Sequence, residues 1–215
     1  MPIIDVANYN QKKRVRMKHF ILRLIGSIEI RFNFHVLKKR KLTIGSSKIK
    51  LGKEWILSEY DALDASKASD WQRLFGDEKL TNILAEHVWE HIPDEETRLS
   101  NQNCYDWLQK GGRLRIAVPD GNNPDKEYIE WVRVGGTGVG ADDHKILYTY
   151  DVMKSRLEKA GFRVELLEYW DENGKFNYTD WTLDGGMIHR SRRFDPRNQN
   201  GKLGYTSLIV DAVKD

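Results

Sequence analysis

A histidine in the second half of the chain is the strongest candidate for proton chemistry. Histidine side chains in general change charge close to neutral pH, so an imidazole at position 144 suits the removal of a proton from an acceptor group. Asp120 could orient that ring or contact the acceptor, and Tyr148 follows His144 at the spacing of one helical face. We therefore predict His144, Asp120 and Tyr148 as catalytic residues. The alternative is that Asp142, Asp143 and His144 cap and anchor a following helix.

Two further histidines have the spacing of metal ligands on a helix. His87 and His91 are four residues apart, with Glu90 between them. Zinc takes four protein ligands in structural sites and three in catalytic sites, and the neighbouring sequence offers no ligand to complete such a shell. We therefore predict no metal site.

A long polar stretch near the C-terminus, residues 169–204, is rich in Trp, Tyr and Arg. Connections of this length in compact domains are either functional or disordered, and the aromatic residues favour an ordered loop. Arg190 and Arg193 can bind an anionic group, and we assign them, together with Trp181, to the binding of an acceptor. The alternative is that the arginines form ion pairs with acidic residues of the same stretch.

The overall composition is that of a folded globular chain. Of its 215 residues, 40% are hydrophobic, which is too many for a disordered chain. No apolar run reaches the length that spans a membrane. Because Cys104 is the single cysteine, an internal disulfide and a cysteine-rich zinc site are excluded, and we expect a cytoplasmic protein.

Positive charge is concentrated at the N-terminus. Residues 1–50 hold thirteen Lys and Arg against two acidic residues, whereas the remainder is acidic. We predict a basic, helical segment over residues 1–40, followed by one domain over residues 41–215. The basic segment either packs on the acidic remainder, which we favour, or contacts anionic lipid through residues 12–41, at the inner face of the membrane. The acidic remainder disfavours nucleic acid as a partner.

Strands and helices alternate along the chain from residue 41 onward. Strands are predicted at 41–44, 55–59, 82–85, 113–118, 162–167 and 205–213, and helices at 70–75, 94–110, 128–132 and 151–160. This alternation predicts an α/β fold with a mostly parallel sheet covered on both faces. Ligands bind such sheets beyond the carboxyl ends of the strands, which singles out Gly45, Glu59 and residues 85–87 and 119–121.

Four motifs follow one another in a particular order: residues 42–47, the acid Glu59, residues 85–92 and residues 108–114. In this order they resemble a class I SAM-dependent methyltransferase, which has a glycine turn, an acid closing the second strand, a histidine-containing segment and paired glycines. Later motifs resemble a bacterial subfamily of predicted methyltransferases that is often associated with surface-polysaccharide pathways; they lie at 118–121, 140–145, 157–162 and 190–198.

The resemblance covers about residues 41–213 and implies a Rossmann-like methyltransferase fold with a seven-stranded sheet and helices on both faces. It implies S-adenosyl-L-methionine (SAM) as the cofactor, with Glu59 on the ribose hydroxyls and Asp64, after a short third strand, on the adenine side. Ser47 stands where the family usually has a second glycine. The cofactor-binding residues implied are Ile44, Gly45, Ser46, Ser47, Glu59, Asp64, Ala85, Glu86 and His87.

The resemblance also implies the reaction, which is methyl transfer from SAM to an acceptor. Transfer from a sulfonium is an in-line displacement, for which the protein supplies positioning and, for an alcohol acceptor, a base. The acceptor that we expect is a saccharide or its nucleotide-linked or lipid-linked form. The alternative is a degenerate methyltransferase fold that serves as a binding or assembly module.

Overall fold

A computed structural model describes residues 6–46, 51–198 and 201–215, with side chains from residue 14 onward. The helices are α1 Val6–Arg31, α2 Ala68–Phe75, α3 Asp94–Trp107, α4 Lys126–Val132 and α5 Tyr150–Lys159. The strands are β1 Lys41–Ile44, β2 Trp55–Ser58, β3 Leu80–Glu86, β4 Leu108–Pro119, β5 Arg163–Trp170, β6 Phe176–Tyr178 and β7 Ser207–Val213. The predicted alternation of strands and helices is confirmed.

All seven strands form one sheet in the order β2-β1-β3-β4-β7-β5-β6. The three ladders from β2 to β4 are parallel, and the three ladders from β4 to β6 are antiparallel. The predicted Rossmann-like arrangement is confirmed, although the sheet is mixed. After β1 the chain forms β2 on one side of β1 and then β3 on its other side. The switch point at which α/β sheets bind ligands therefore lies between β1 and β3.

The expected short third strand before Asp64 is absent from the described residues, and β2 forms the edge of the sheet. The segment after β2 turns instead, because the carbonyl of Glu59 accepts hydrogen bonds from the N–H groups of Ala62 and Leu63. The seventh strand is β6, which pairs with β5 as a hairpin inside the long polar stretch. The prediction of seven strands therefore holds with a different membership.

Four of the five α-helices pack on one face of the sheet, whereas the sequence predicted helices on both faces. Side chains of α1, α2, α3 and α5 pack there against alternate strand residues such as Ile83 and Ile116. Their neighbours Leu84 and Ala117 point to the opposite face, as the two-residue period of a strand requires. Among the described residues that face is covered by no α-helix but by Trp181 and its neighbours from the long polar stretch, including a short 3-10 helix, Leu183–Gly185. The stretch is therefore an ordered layer of the core.

The sequence predicted that α3 ends at the glycine pair 111–112, and this prediction is wrong. The helix ends at Trp107, and β4 begins at Leu108, which pairs with Leu80 of β3. Gly111 lies within this strand at φ +76, and its N–H donates to the carbonyl of Lys214. Strand pairing with β3 and with the C-terminal residues therefore overrides the helix-stop signal of the two glycines.

Within the basic N-terminal segment, the described residues begin with helix α1, Val6–Arg31. Helix α1 continues into a turn of π-helix over Phe32–Val36 before β1 begins. Its second half packs on α2, where Phe34 is fully buried and lies 4.9 Å from Phe75 between ring centroids. An ion pair from Arg23 to Asp70 and a hydrogen bond between His19 and Asp61 tie the helix to acidic residues. No helix among the described residues is long and apolar enough to cross a membrane.

Candidate functional site

A cavity of about 640 Å³ opens at the carboxyl ends of the parallel strands. Its floor is formed by residues at the ends of three strands, Gly45 after β1, Glu86 and His87 at β3, and Pro119 of β4. The wall comes from the segments that follow β3 and α4 and from the long polar stretch, and includes Glu90, His91, Trp131, Val139, His144, His189, Arg190, Arg197 and Tyr205. The cavity thus occupies the switch point that the strand order defines.

The turn after β1 brings the backbone to the floor of the cavity. Gly45 has φ +64, and a Cβ there would lie 2.6 Å from a methyl group of Val88. Only glycine fits both conditions. Ile44 is buried beneath the turn, and Ser46 donates from Oγ to the carboxylate of Glu59 at 2.8 Å. Ser47 lies outside the described residues.

Glu59 and Asp64 lie beyond the cavity wall. Glu59 is exposed at the end of β2 and is joined to the turn through Ser46. Asp64 lines a second cavity of about 300 Å³ beside α1, where it forms an ion pair with Lys67 at 2.7 Å. Burial opposes ionisation of Asp64, but hydrogen bonds from Lys67 and Ser66 outweigh it and lower the pKa of the carboxyl group. Of these two acids, only Glu59 is joined to the turn at Gly45.

The end of β3 holds the three residues predicted to lie beside the methionine portion of SAM. Ala85 is fully buried beneath the edge of the sheet, whereas Glu86 and His87 line the cavity. The carboxylate of Glu86 accepts hydrogen bonds from the N–H groups of His189 and Arg190, at 3.1 and 2.8 Å. Glu86 therefore fixes the long polar stretch over the edge of the sheet. His87 has φ +54, a strained conformation for a residue with a side chain.

Glu90 is a buried carboxylate in the wall of the cavity, and neither of its oxygens has a hydrogen bond. Oε1 lies 2.9 Å from Nδ1 of His87 in an arrangement misaligned for hydrogen bonding. Burial opposes ionisation, but the nearby His87 outweighs it and lowers the pKa of Glu90. Ligand atoms of Glu90, His91 and His144 lie within 4.8 Å of one another, so these three could hold a metal ion. The prediction of no metal site considered only ligands close to His87 and His91 in sequence. It did not consider His144, which the fold brings close to Glu90 and His91.

His144 lines the wall of the cavity. The backbone of the adjacent Lys145 donates to the carbonyl of Glu90 at 2.7 Å, which anchors the segment beside β3. Nδ1 of His144 lies 2.7 Å from the carbonyl oxygen of Val132. Because a carbonyl oxygen only accepts, Nδ1 must carry the proton, and in the neutral ring Nε2 keeps the lone pair. His144 is therefore oriented as a proton acceptor.

Asp120 and Tyr148 do not face the cavity, so the prediction that they act beside His144 is wrong. Asp120 is fully buried and accepts hydrogen bonds from the N–H groups of Asn122 and Trp170. Burial raises the pKa of Asp120 to about 6, although these hydrogen bonds oppose the shift. Tyr148 is also fully buried, because the chain after His144 is extended rather than helical.

The three residues predicted to bind the acceptor divide between the cavity and the core. Arg190 is exposed, lines the cavity, and has no ion pair within the part of the chain that the structure describes. Trp181 is buried on the opposite face of the sheet and donates to Glu168 at 3.0 Å. Arg193 stacks on Phe194 at 4.3 Å. Trp181 and Arg193 therefore build the layer that covers the sheet, and assigning them to the acceptor site is wrong.

Sequence reasoning missed an aromatic part of the cavity. Trp131, at the end of α4, is 41% exposed there, and Tyr205 forms the adjoining wall beneath Arg197. Arg197 forms a bidentate ion pair with Asp195, which matches the alternative interpretation of the arginines. The helical position of Trp131 carried no sign of this role, because the cavity brings together segments that are distant in sequence.

Comparison with known proteins finds similar folds at low sequence identity. No protein-family model and no curated protein matches the chain. A SAM-dependent methyltransferase from Thermotoga maritima, described as a possible histamine N-methyltransferase, is 13% identical over 96% of this chain and 98% of its own, with a TM-score of 0.49. A SAM-dependent methyltransferase from Archaeoglobus fulgidus is 16% identical over 86% and 91%, with a TM-score of 0.44.

A third similar structure contains a cofactor product. Phosphoethanolamine N-methyltransferase 2 from Haemonchus contortus, in complex with phosphomonomethylethanolamine and S-adenosylhomocysteine, is 17% identical over 63% of this chain and 38% of its own, with a TM-score of 0.40. Likenesses at this level of identity concern the fold and do not carry an activity from one chain to another.

Proposed function

We propose that this protein is a SAM-dependent methyltransferase whose cavity at the ends of β1, β3 and β4 receives the cofactor and the methyl acceptor. The observation that carries the proposal is the position of this cavity. It lies at the switch point of the sheet, over a turn in which Gly45 admits no side chain, and its wall holds an oriented proton acceptor in His144.

The residues at the floor of the cavity fit SAM. The backbone of Gly45 lines the floor of the cavity, where it can contact a ligand directly. Glu59 presents an exposed carboxylate beside this turn, suited to accept hydrogen bonds from the ribose hydroxyls. When bound, SAM supplies an activated methyl group on its sulfonium. The protein holds that group in line with the acceptor and excludes water through the segment that Glu86 fixes over the edge.

The acceptor in this proposal is a saccharide that carries an anionic group, such as a nucleotide-linked sugar. Trp131 offers an exposed aromatic surface in the cavity, and Arg190 offers a guanidinium without an ion pair among the described residues. Nε2 of His144 takes the proton that the acceptor hydroxyl loses. The proposal includes a cytoplasmic location, which agrees with the single, buried and free thiol of Cys104.

The test is a calorimetric titration with SAM and with S-adenosylhomocysteine. Glu59→Ala should weaken binding about 10-fold to 100-fold, because a charged acceptor of hydrogen bonds is lost. Glu54→Ala is the matched control, since Glu54 is an exposed acid before the amino end of the same strand. The proposal fails if the wild-type protein binds neither ligand. Binding without methyl transfer to any sugar nucleotide supplied would favour the degenerate binding module.

A further inference from the structure

Helix α1 has a broad apolar stripe that the rest of the protein leaves uncovered. Met17, Ile21, Leu24 and Ile28 recur at intervals of four, three and four residues, so they share one side of the helix. Each is between 46% and 60% exposed, and Ile25 and Phe32 widen the stripe with exposures of 57% and 51%. Single exposed apolar residues are ordinary, but a continuous stripe of this kind marks an interaction surface.

The stripe faces away from the body of the protein. The side of α1 that packs on the protein carries Gly26, which meets Ala62, and Ile30, which is 1% exposed. Ser27 and Arg23 on the same side bind Arg73 and Asp70. At about 100° per residue, the stripe lies on the opposite side. The anchored side holds the helix in place and turns the apolar side outward.

Basic residues stand at both ends of the stripe. Arg14 and Lys18 border it at the N-terminal end, where they line an exposed apolar groove with Met17, Ile21 and Leu22. Arg31, Lys38 and Lys39 lie at the other end, and Glu29 is the only acidic residue from position 14 to 41. No ion pair involves Arg14 or Lys18 within the described part of the chain.

We propose that α1 is an interfacial helix that docks this protein on an anionic lipid surface. Apolar side chains enter the boundary between headgroups and acyl chains, while the flanking Lys and Arg contact anionic headgroups. The helix lies on the membrane and does not span it, in keeping with its charge content. The contact of His19 with Asp61 puts its basic end near the loop that follows β2, at the edge of the sheet that also carries the cavity.

A second copy of the chain fits this surface less well. Pairing of two helices uses a narrow seam sustained over three or four heptads, whereas this stripe is wide and spans about two. Both ends of the stripe are basic, so a parallel and an antiparallel pair would each bring like charges together. An anionic bilayer meets the apolar and the basic groups at the same time.

The test is cosedimentation of the full-length protein with vesicles. Phosphatidylcholine vesicles with about one third phosphatidylglycerol should bind the protein at low salt. Partitioning onto pure phosphatidylcholine vesicles should be weaker by a factor of about ten or more. Ile21→Gln and Arg14→Glu should each lower partitioning about tenfold. Their controls, Leu99→Gln and Arg98→Glu, change exposed residues of α3 and should leave partitioning unaltered. Urea unfolding of each variant verifies that it is folded.

Three outcomes would overturn the proposal. The first is that the wild-type protein does not bind the anionic vesicles. The second is that Ile21→Gln binds as well as Leu99→Gln. The third is a dimer in sedimentation velocity without lipid that Ile21→Gln converts to a monomer, which would assign the stripe to a second copy. None of these measurements uses SAM, so their failure leaves the proposed methyl transfer to its own test.

Discussion

Two buried polar clusters lie close to β4, and they differ in how fully their groups are paired. In the first, Arg115 and Asp211 share two hydrogen bonds of 2.7 and 2.8 Å, and Arg115 also donates to the carbonyls of Thr182 and Gly186. In the second, Glu90 is equally buried, but neither of its oxygens has a hydrogen bond and its neighbours line a cavity. The first cluster is closed, and the second is open to a ligand.

The difference distinguishes a structural cluster from a functional one. Arg115 joins β4 to β7 and holds the irregular layer on the sheet, so its charge serves the fold. The carboxylate of Glu90 has a close partner only in Nδ1 of His87, at 2.9 Å. A buried carboxylate that lacks well-aligned hydrogen bonds costs free energy, and a fold keeps such a group where chemistry or binding uses it. The strained backbone of His87 lies beside Glu90 and not beside Arg115. The strained backbone of His87 and the incompletely bonded carboxylate of Glu90 therefore both lie at the cavity.

The largest effect on stability should come from opening the closed cluster. Arg115→Met leaves Asp211 buried with Arg113 as its remaining partner, so the free energy of unfolding should fall by about 3–5 kcal/mol. Urea denaturation measures the change. Arg98→Met, at an exposed position of α3, should stay within about 0.5 kcal/mol of wild type. Equal stabilities of the two variants would show that the Arg115 cluster is not structural.

A substitution beside the open cluster should lower the rate of turnover rather than the stability of the fold. His144→Ala should lower kcat about 100-fold to 10,000-fold with the sugar nucleotide that supports methyl transfer, because a proton acceptor is lost. Its affinity for S-adenosylhomocysteine should stay the same, since the residue acts in the transition state. His19→Ala is a control histidine on α1, paired with Asp61. A loss of stability with unchanged kcat would assign His144 to anchoring alone.

A smaller effect concerns the pH dependence of stability at Asp120, a buried acid outside both clusters. Burial raises its pKa to about 6 in the folded protein, above the unfolded value of about 4. The folded state then holds more protons between these values, so wild type should lose stability relative to Asp120→Asn as the pH rises from about 4 to 6. The loss is of order 2–3 kcal/mol. Urea unfolding at several pH values measures it, and a flat difference would contradict the assignment.

Local patterns predicted the order of the strands and helices and the strand ends that carry Gly45, Glu86 and His87. Those ends follow from short apolar runs closed by glycine or acid, and parallel strands bring them to one edge. His144 was also placed at this edge, where it lines the cavity, and its role in proton transfer stays a prediction. These successes share one cause, since each depends on a strand end and the few residues beside it.

The failures depend on long-range packing. Tyr148 was given a helical face, but its segment is extended and buried. Trp181 looked like a ligand-binding aromatic residue, but no α-helix of the described chain covers its face of the sheet, so its ring is needed to bury Leu84 and Ile209. The proximity of Glu90 to His144, whose ligand atoms lie within 4.8 Å of each other, was invisible for the same reason. No local pattern records which distant segments close around a cavity.

The central claim, that the turn after β1 holds SAM, is tested most directly by two matched glycine substitutions. Gly45 and Gly111 both have positive φ, so an alanine at either position strains the backbone. At Gly45 the Cβ would also meet Val88, so urea unfolding must show that Gly45→Ala is folded. Only Gly45 lines the cavity; a Cβ at Gly111 would meet nothing within 4 Å. Calorimetric titration with S-adenosylhomocysteine should show that Gly45→Ala abolishes binding, while Gly111→Ala binds as wild type does. Equal affinities in the two variants would contradict the account.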